Sequence, residues 1–140
     1  MKHRRRTAKL SRTTGHRKSL MRNLMTELMR HGRVTTTKAK AKALKSVCDK
    51  LMYKAQQDTV KARRELHEFF GKRAVVNTMV DRIAPMFTQR HSGFTTPRSL
   101  GNRRGDNAEL FEVALVKTDA VNGTLKSDDA VAETEKDTKK

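Results

Sequence analysis

Two stretches of the chain gather cationic side chains where a helix is expected to begin. His16, Arg17 and Lys18 form the first and Lys38, Lys40 and Lys42 the second, with no acid in either opening. A helix N-terminus carries partial positive charge and unpaired backbone N–H groups, so each cation there costs about 0.3 to 1 kcal/mol while an anion is favoured. Both openings therefore predict a bound anion, because one phosphate would satisfy the N–H groups, the dipole and the basic side chains together. Lys40 stands four residues before Leu44 and seven before Val47, above an apolar stripe. From there it either reaches a phosphate or runs along the stripe to water.

The N-terminal segment extends the same chemistry. Residues 1–18 hold eight Lys or Arg and no acid, among them Lys2, Arg4, Arg5, Arg6, Lys9 and Arg12. Like charges cannot build a core, so residues 1–13 are read as an extended basic arm that orders on an anionic partner. Lys and Arg hold a backbone without reading bases, which predicts affinity rather than sequence readout. His3 and His16 can stack on unpaired bases or touch phosphates.

Charge has an address in this chain. The whole sequence of 140 residues has a formal charge of +17 and a pI near 10.7, yet residues 1–46 alone carry fifteen Lys or Arg against one acid, Glu27. The partner class this implies is nucleic acid. With no Trp, one Tyr and no apolar run near the length of a membrane span, attachment to a membrane is not expected. The basic start does not lead into an apolar leader, so the expected location is the cytoplasm, and a single cysteine, Cys48, excludes an internal disulfide.

Catalytic and metal chemistry find few candidates. His3, His16, His31, His67 and His91 show no paired ligand spacing with one another or with Cys48, so neither a metal nor a cofactor is expected. Glu27 is the one acid in the first 48 residues, and no Ser, His and acid arrangement emerges, so the chain is not read as an enzyme. Arg104, Gly105 and Asp106 suit a tight turn, with Arg103 and Arg104 available to phosphates.

The elements that must position these side chains follow from periodicity. Leu20, Met21, Leu24, Met25, Leu28 and Met29 mark one face of a helix over about 15–31, stopped by Gly32. The β-branched run RVTTT predicts one short strand, with Thr36 or Thr37 capping a second helix over 38–56. Leu44, Val47, Cys48, Leu51, Met52 and Ala55 form that helix's apolar stripe. A third helix is expected over 59–70, stopped at Gly71, and a fourth from Val75 that Pro85 should end near Ala84. Phe111, Val113 and Leu115 alternate as a strand, paired in a hairpin with GFTTPRSL across the turn GNRRGDNA. Pro97 removes a ladder donor, so its strand is either an edge or interrupted there. Residues 117–140 lack an apolar face and are read as a polar, disordered tail.

Several segments together resemble a known family, that of the bacterial large-subunit ribosomal protein seventeen: MKHRRR at the start, KLSRTTGHRKSLMRNL from Lys9, RHGRVTTTKAKAKALK from Arg30, ARREL from Ala62 and RRGDNAELFEVALV from Arg103. The resemblance covers residues 1 to about 116 in the family's order. It implies an α/β (α+β) two-layer single domain over 14–116, ordered helix, strand, three helices, two strands. It also implies a structural component of the large ribosomal subunit that binds ribosomal RNA near the polypeptide exit tunnel, beside neighbouring ribosomal proteins. The family's basic start maps to Lys2, His3, Arg4 and Arg5, and its His-Arg and Arg-Asn pairs to His16, Arg17, Arg22 and Asn23. Its Thr-Thr and Lys-Ala-Lys elements map to Thr36, Thr37, Lys40 and Lys42. Lys2 stands where the family usually has Arg.

Two other classes share part of this pattern. A nucleoid-type DNA-binding protein would carry the charge, but should offer a recognition helix or a β-ribbon with an apolar intercalating tip, and GNRRGDNA has no such tip. An RNA-processing enzyme would cleave RNA with a divalent metal, for which the first third supplies almost no acid.

Overall fold

The computed structural model describes residues 8–116, so Lys2, His3, Arg4, Arg5 and Arg6 of the arm and the whole tail over 117–140 lie outside the described residues. Four helices and a three-stranded antiparallel sheet make an α+β fold.

Helix α1 runs over Thr14–His31 and buries Met21, Met25, Leu28 and Met29. Gly32 ends it in the left-handed region at φ 69°, its N–H closing on the Leu28 carbonyl, a conformation that disfavours any residue with a Cβ. Strand β1 (Arg33–Thr37) follows after that single residue and leads directly into α2 (Lys38–Gln56). Ala41, Leu44, Cys48, Leu51, Met52 and Ala55 are buried at spacings of three and four, the stripe that packs α2 across the middle of the core. Burial pushes the Cys48 thiol up to about 12, with the charge of Asp49 adding to it, so this cysteine behaves as a small apolar side chain.

Helix α3 (Val60–Phe70) is capped by Thr59, whose hydroxyl accepts from the Ala62 N–H at 3.1 Å, and Gly71 ends it at φ 70°. Helix α4 starts at Arg73–Asn77, widens to a π-helical stretch over Thr78–Ile83 and tightens to a 3-10 turn over Ala84–Phe87. The π-helical stretch ends at Ile83, next to Ala84, as Pro85 leads one to expect. The chain continues one more turn because proline sits at the start of a new 3-10 turn, where its missing N–H has no intrahelical partner to lose. Gln56 finishes that turn by donating to the carbonyls of Phe87 at 2.7 Å and Arg90 at 2.9 Å.

Strands β2 (Thr95–Asn102) and β3 (Glu109–Leu115) complete the sheet in the order β1-β3-β2, with β3 central. Val113 and Leu115 of β3 are buried in the same cluster as Met25, Leu44, Met52, Met79 and Ile83, so one face of the sheet is covered by helices. Phe87 and Phe94 meet edge to face at 5.6 Å where the 3-10 turn reaches the sheet. The carboxylate of Asp49 accepts from the Phe94 N–H, tying α2 to the entry of β2. Pro97 lies opposite Val113 in an edge strand, and pairing continues beyond it to Asn102. The interruption falls instead between Ser99 and Gly101, where Leu100 is the extra residue and Gly101 takes φ 92°.

Candidate nucleic-acid interface

The described part of the arm is a turn. The Arg12 N–H donates to the Lys9 carbonyl at 3.2 Å, with Leu10 at φ 53° and Ser11 at φ 50° between them. Two successive left-handed non-glycine residues cost roughly 1–2 kcal/mol each. Hydrogen bonds offset part of that cost: Arg12 Nη1 donates to the Leu10 carbonyl at 2.9 Å and Arg17 Nη1 to the Arg12 carbonyl at 3.3 Å. Arg12 and Arg17 thus hold the turn over the start of α1, and both are half-buried.

Lys9, His16, Lys18 and Asn23 are exposed, and their side chains make no hydrogen bond or ion pair among the described residues. Arg22 points inward, its Nε donating to the Phe69 carbonyl at 2.6 Å near the end of α3. The interaction places a cation at a helix C-terminus, where it is favoured.

At the second opening, Thr36 is 8% exposed and belongs to the buried residues. Thr37 occupies the cap position of α2 with extended backbone, but its side chain makes no cap hydrogen bond. Lys38 Nζ lies 2.7 Å from Glu109 Oε2. That acid is invisible to the local sequence. The β1–β3 register, which sets Thr37 opposite Leu110, brings it within reach. Lys38 is thus already answered by an acid of the chain, although none stands in the α2 opening itself. Lys40 is half-buried and Lys42 exposed, and neither has a partner among the described residues. Lys45, which was not among the residues expected to face RNA, is exposed and continues the spacing i, i+4, i+7 from Lys38 and Lys42, which places all three on one face of α2.

In the hairpin turn, Arg103 grips Asp106 with two parallel bonds, Nε to Oδ1 at 3.0 Å and Nη2 to Oδ2 at 2.6 Å. The Arg103 guanidinium, helped by the Ala108 N–H, holds the Asp106 carboxyl down at about 2. Arg104 is exposed and unpaired among the described residues. Further along the chain acids and bases answer each other. Arg63 bridges Asp58 and Asp81, and Lys54 pairs with Glu65, whose carboxyl is held below its usual range first by that hydrogen bond.

The described residues contain no group of three or more His, Cys, Asp or Glu able to hold a metal ion, and no helix long and apolar enough to cross a membrane. What the surface offers is a set of unpartnered cations at the starts of two helices, chemistry suited to phosphate oxygens.

Comparison with known proteins agrees with the resemblance. Residues 20–116 match the family model described as ribosomal protein L17. A large ribosomal subunit protein bL17 from Thermotoga sp. (strain RQ2) is 41% identical over 131 residues, covering 88% of this chain and 100% of that protein. Those from Fervidobacterium nodosum and Borrelia turicatae are each 40% identical, over 84% and 77% of this chain and 100% and 87% of their own lengths. With the family model and the relatives spanning most of the chain, this protein belongs to the ribosomal protein L17 family.

Proposed function

We propose that this chain binds and stabilises large-subunit ribosomal RNA near the polypeptide exit tunnel, using the arm over 1–13 and the two cationic helix openings of the domain over 14–116. As a member of its family it is a ribosomal protein, a structural component of the large subunit that serves translation in the cytoplasmic ribosome and not an enzyme. The observation that carries the RNA reading is the unpartnered state of His16, Lys18, Lys40 and Lys42 among the described residues. Three lysines and a histidine left without acids beside two helix N-termini are best explained by anions supplied from outside. Arg12, Arg17, Arg22 and Arg103 act in this reading chiefly by shaping the surface, since each already holds a carbonyl or carboxylate of the chain. Lys2, His3, Arg4, Arg5 and Arg6 would extend the contact along the RNA backbone.

Co-sedimentation with large ribosomal subunits through a high-salt gradient tests the assignment. Retention on the particle is expected, and release at moderate salt would make the chain a peripheral factor. Competition between structured ribosomal RNA and duplex DNA separates the reading from that of a nucleoid-type DNA-binding protein. Structured RNA should win, whereas equal affinity would favour DNA.

A further inference from the structure

The two edges of the sheet are treated differently. The outer edge of β2 carries Pro97 and the irregularity at Ser99–Gly101, both of which obstruct pairing with another strand. The edge of β1 has neither, and its register with β3 is unbroken from Arg33 to Thr37. The Leu115 N–H donates to the Gly32 carbonyl at 2.8 Å, which fixes the alternation of the ladder. Val34 and Thr36 then exchange bonds with Val113 and Phe111, while Arg33 and Thr35 turn their N–H and C=O groups to the free edge.

A cleft of about 570 Å³ lies beside that edge, lined by Glu27 and His31 from the last turns of α1, by Arg33, Val34 and Thr35, and by Glu112. The cleft runs against the charge of the molecule. Glu27 is the single acid of the first 46 residues and Glu112 a second carboxylate, in a chain of net charge +17. Glu27 now faces His31 at 3.3 Å and Glu112 faces Arg33 at 4.0 Å, both loose pairs that an incoming cation can replace. A phosphate backbone would meet these two carboxylates with repulsion.

We propose that the free edge of β1 accepts an extended basic segment of a neighbouring protein as a fourth strand. Backbone groups of Arg33 and Thr35 form its ladder bonds, and Lys or Arg side chains on alternate positions reach Glu27 and Glu112. This surface is separate from the helix openings and does not depend on the RNA reading.

The probe is a nine-residue peptide of alternating Lys and Thr, added to the full chain while amide hydrogen exchange is followed by NMR. Saturating peptide is expected to slow exchange of the Arg33 and Thr35 amides at least tenfold. Glu27→Gln combined with Glu112→Gln should weaken binding at least fivefold. A matched peptide of alternating Glu and Thr, or the Lys-Thr peptide N-methylated at alternate amides, should not bind. Thr35→Pro removes an edge N–H and should abolish binding; the N-methylated peptide asks the same question of the unaltered protein. Equal binding of the Glu-Thr or N-methylated peptide overturns the proposal, as does no protection at millimolar Lys-Thr peptide. Protection of the two amides by an RNA oligonucleotide, or by raising the protein concentration alone, assigns the edge to RNA or to a second copy and likewise overturns it.

Discussion

Arg22 and the carbonyl of Phe69 meet at 2.6 Å across 47 residues of sequence, joining the middle of α1 to the end of α3. A charge-assisted bond of this kind contributes about 1.5 to 3 kcal/mol, and its loss strands a carbonyl near a helix end. Arg22→Met should therefore lower unfolding free energy by about that amount in urea titrations. RNA affinity measured below the unfolding transition should change little. Reduced affinity at undiminished stability would place the guanidinium on RNA instead.

Lys40 gives the converse case. Half-buried above the Leu44 stripe, it has no hydrogen bond or ion pair to lose among the described residues. Lys40→Met should weaken binding to large-subunit ribosomal RNA by about tenfold or less, the size of a single phosphate contact worth about 1 kcal/mol, while stability holds or rises. Unchanged affinity with a rise in stability would show that the lysine serves only itself.

Thr95 is 3% exposed and its hydroxyl finds no hydrogen-bond partner within the described residues. An unmade buried hydrogen bond costs about 1–3 kcal/mol, so Thr95→Val, which keeps the shape and removes the polar atom, should raise stability by about 1 kcal/mol. Calorimetry decides it. A fall of the same size would mean that an ordered water completes the site.

The hairpin turn should respond to acid. The Asp106 carboxyl stands at about 2 against an ordinary 3.8, so the turn gains stability above the unfolded value and loses it as pH falls between about 4 and 2. Protection of the Arg103 to Ala108 amides, measured as exchange relative to the intrinsic rate at each pH, should fall over that interval. Asp106→Asn should show the reduced protection already at neutral pH and no further acid step. A turn indifferent to both changes would mean that the Arg103 grip contributes nothing.

Much of this architecture is legible in the sequence because it is local. Met21, Met25, Leu28 and Met29 repeat at the helical period, and Gly32 stops α1 in the one backbone conformation that favours glycine. Thr59 and Gly71 bracket α3 for equally local reasons. The continuation through Pro85 was not legible, since a proline that closes one helical stretch can open a tighter one. Nor was the bulge at Leu100, which depends on how β2 registers against β3. The candidate interface divides along the same line. Composition identifies which residues are cationic, but only long-range geometry tells which are already engaged. Glu109 reaches Lys38 and Phe69 reaches Arg22 through pairings that no window of sequence contains.

An unanswered cationic surface in the first third of the chain should bind RNA through many phosphates at once. Titration of the full chain against large-subunit ribosomal RNA across a range of salt concentrations measures this directly. With about ten phosphates neutralised, the logarithm of affinity should fall against the logarithm of salt with a slope of about −7 to −9. A slope shallower than about −3 would contradict the account, because too few phosphates would then be engaged for the two helix openings and the arm to act together.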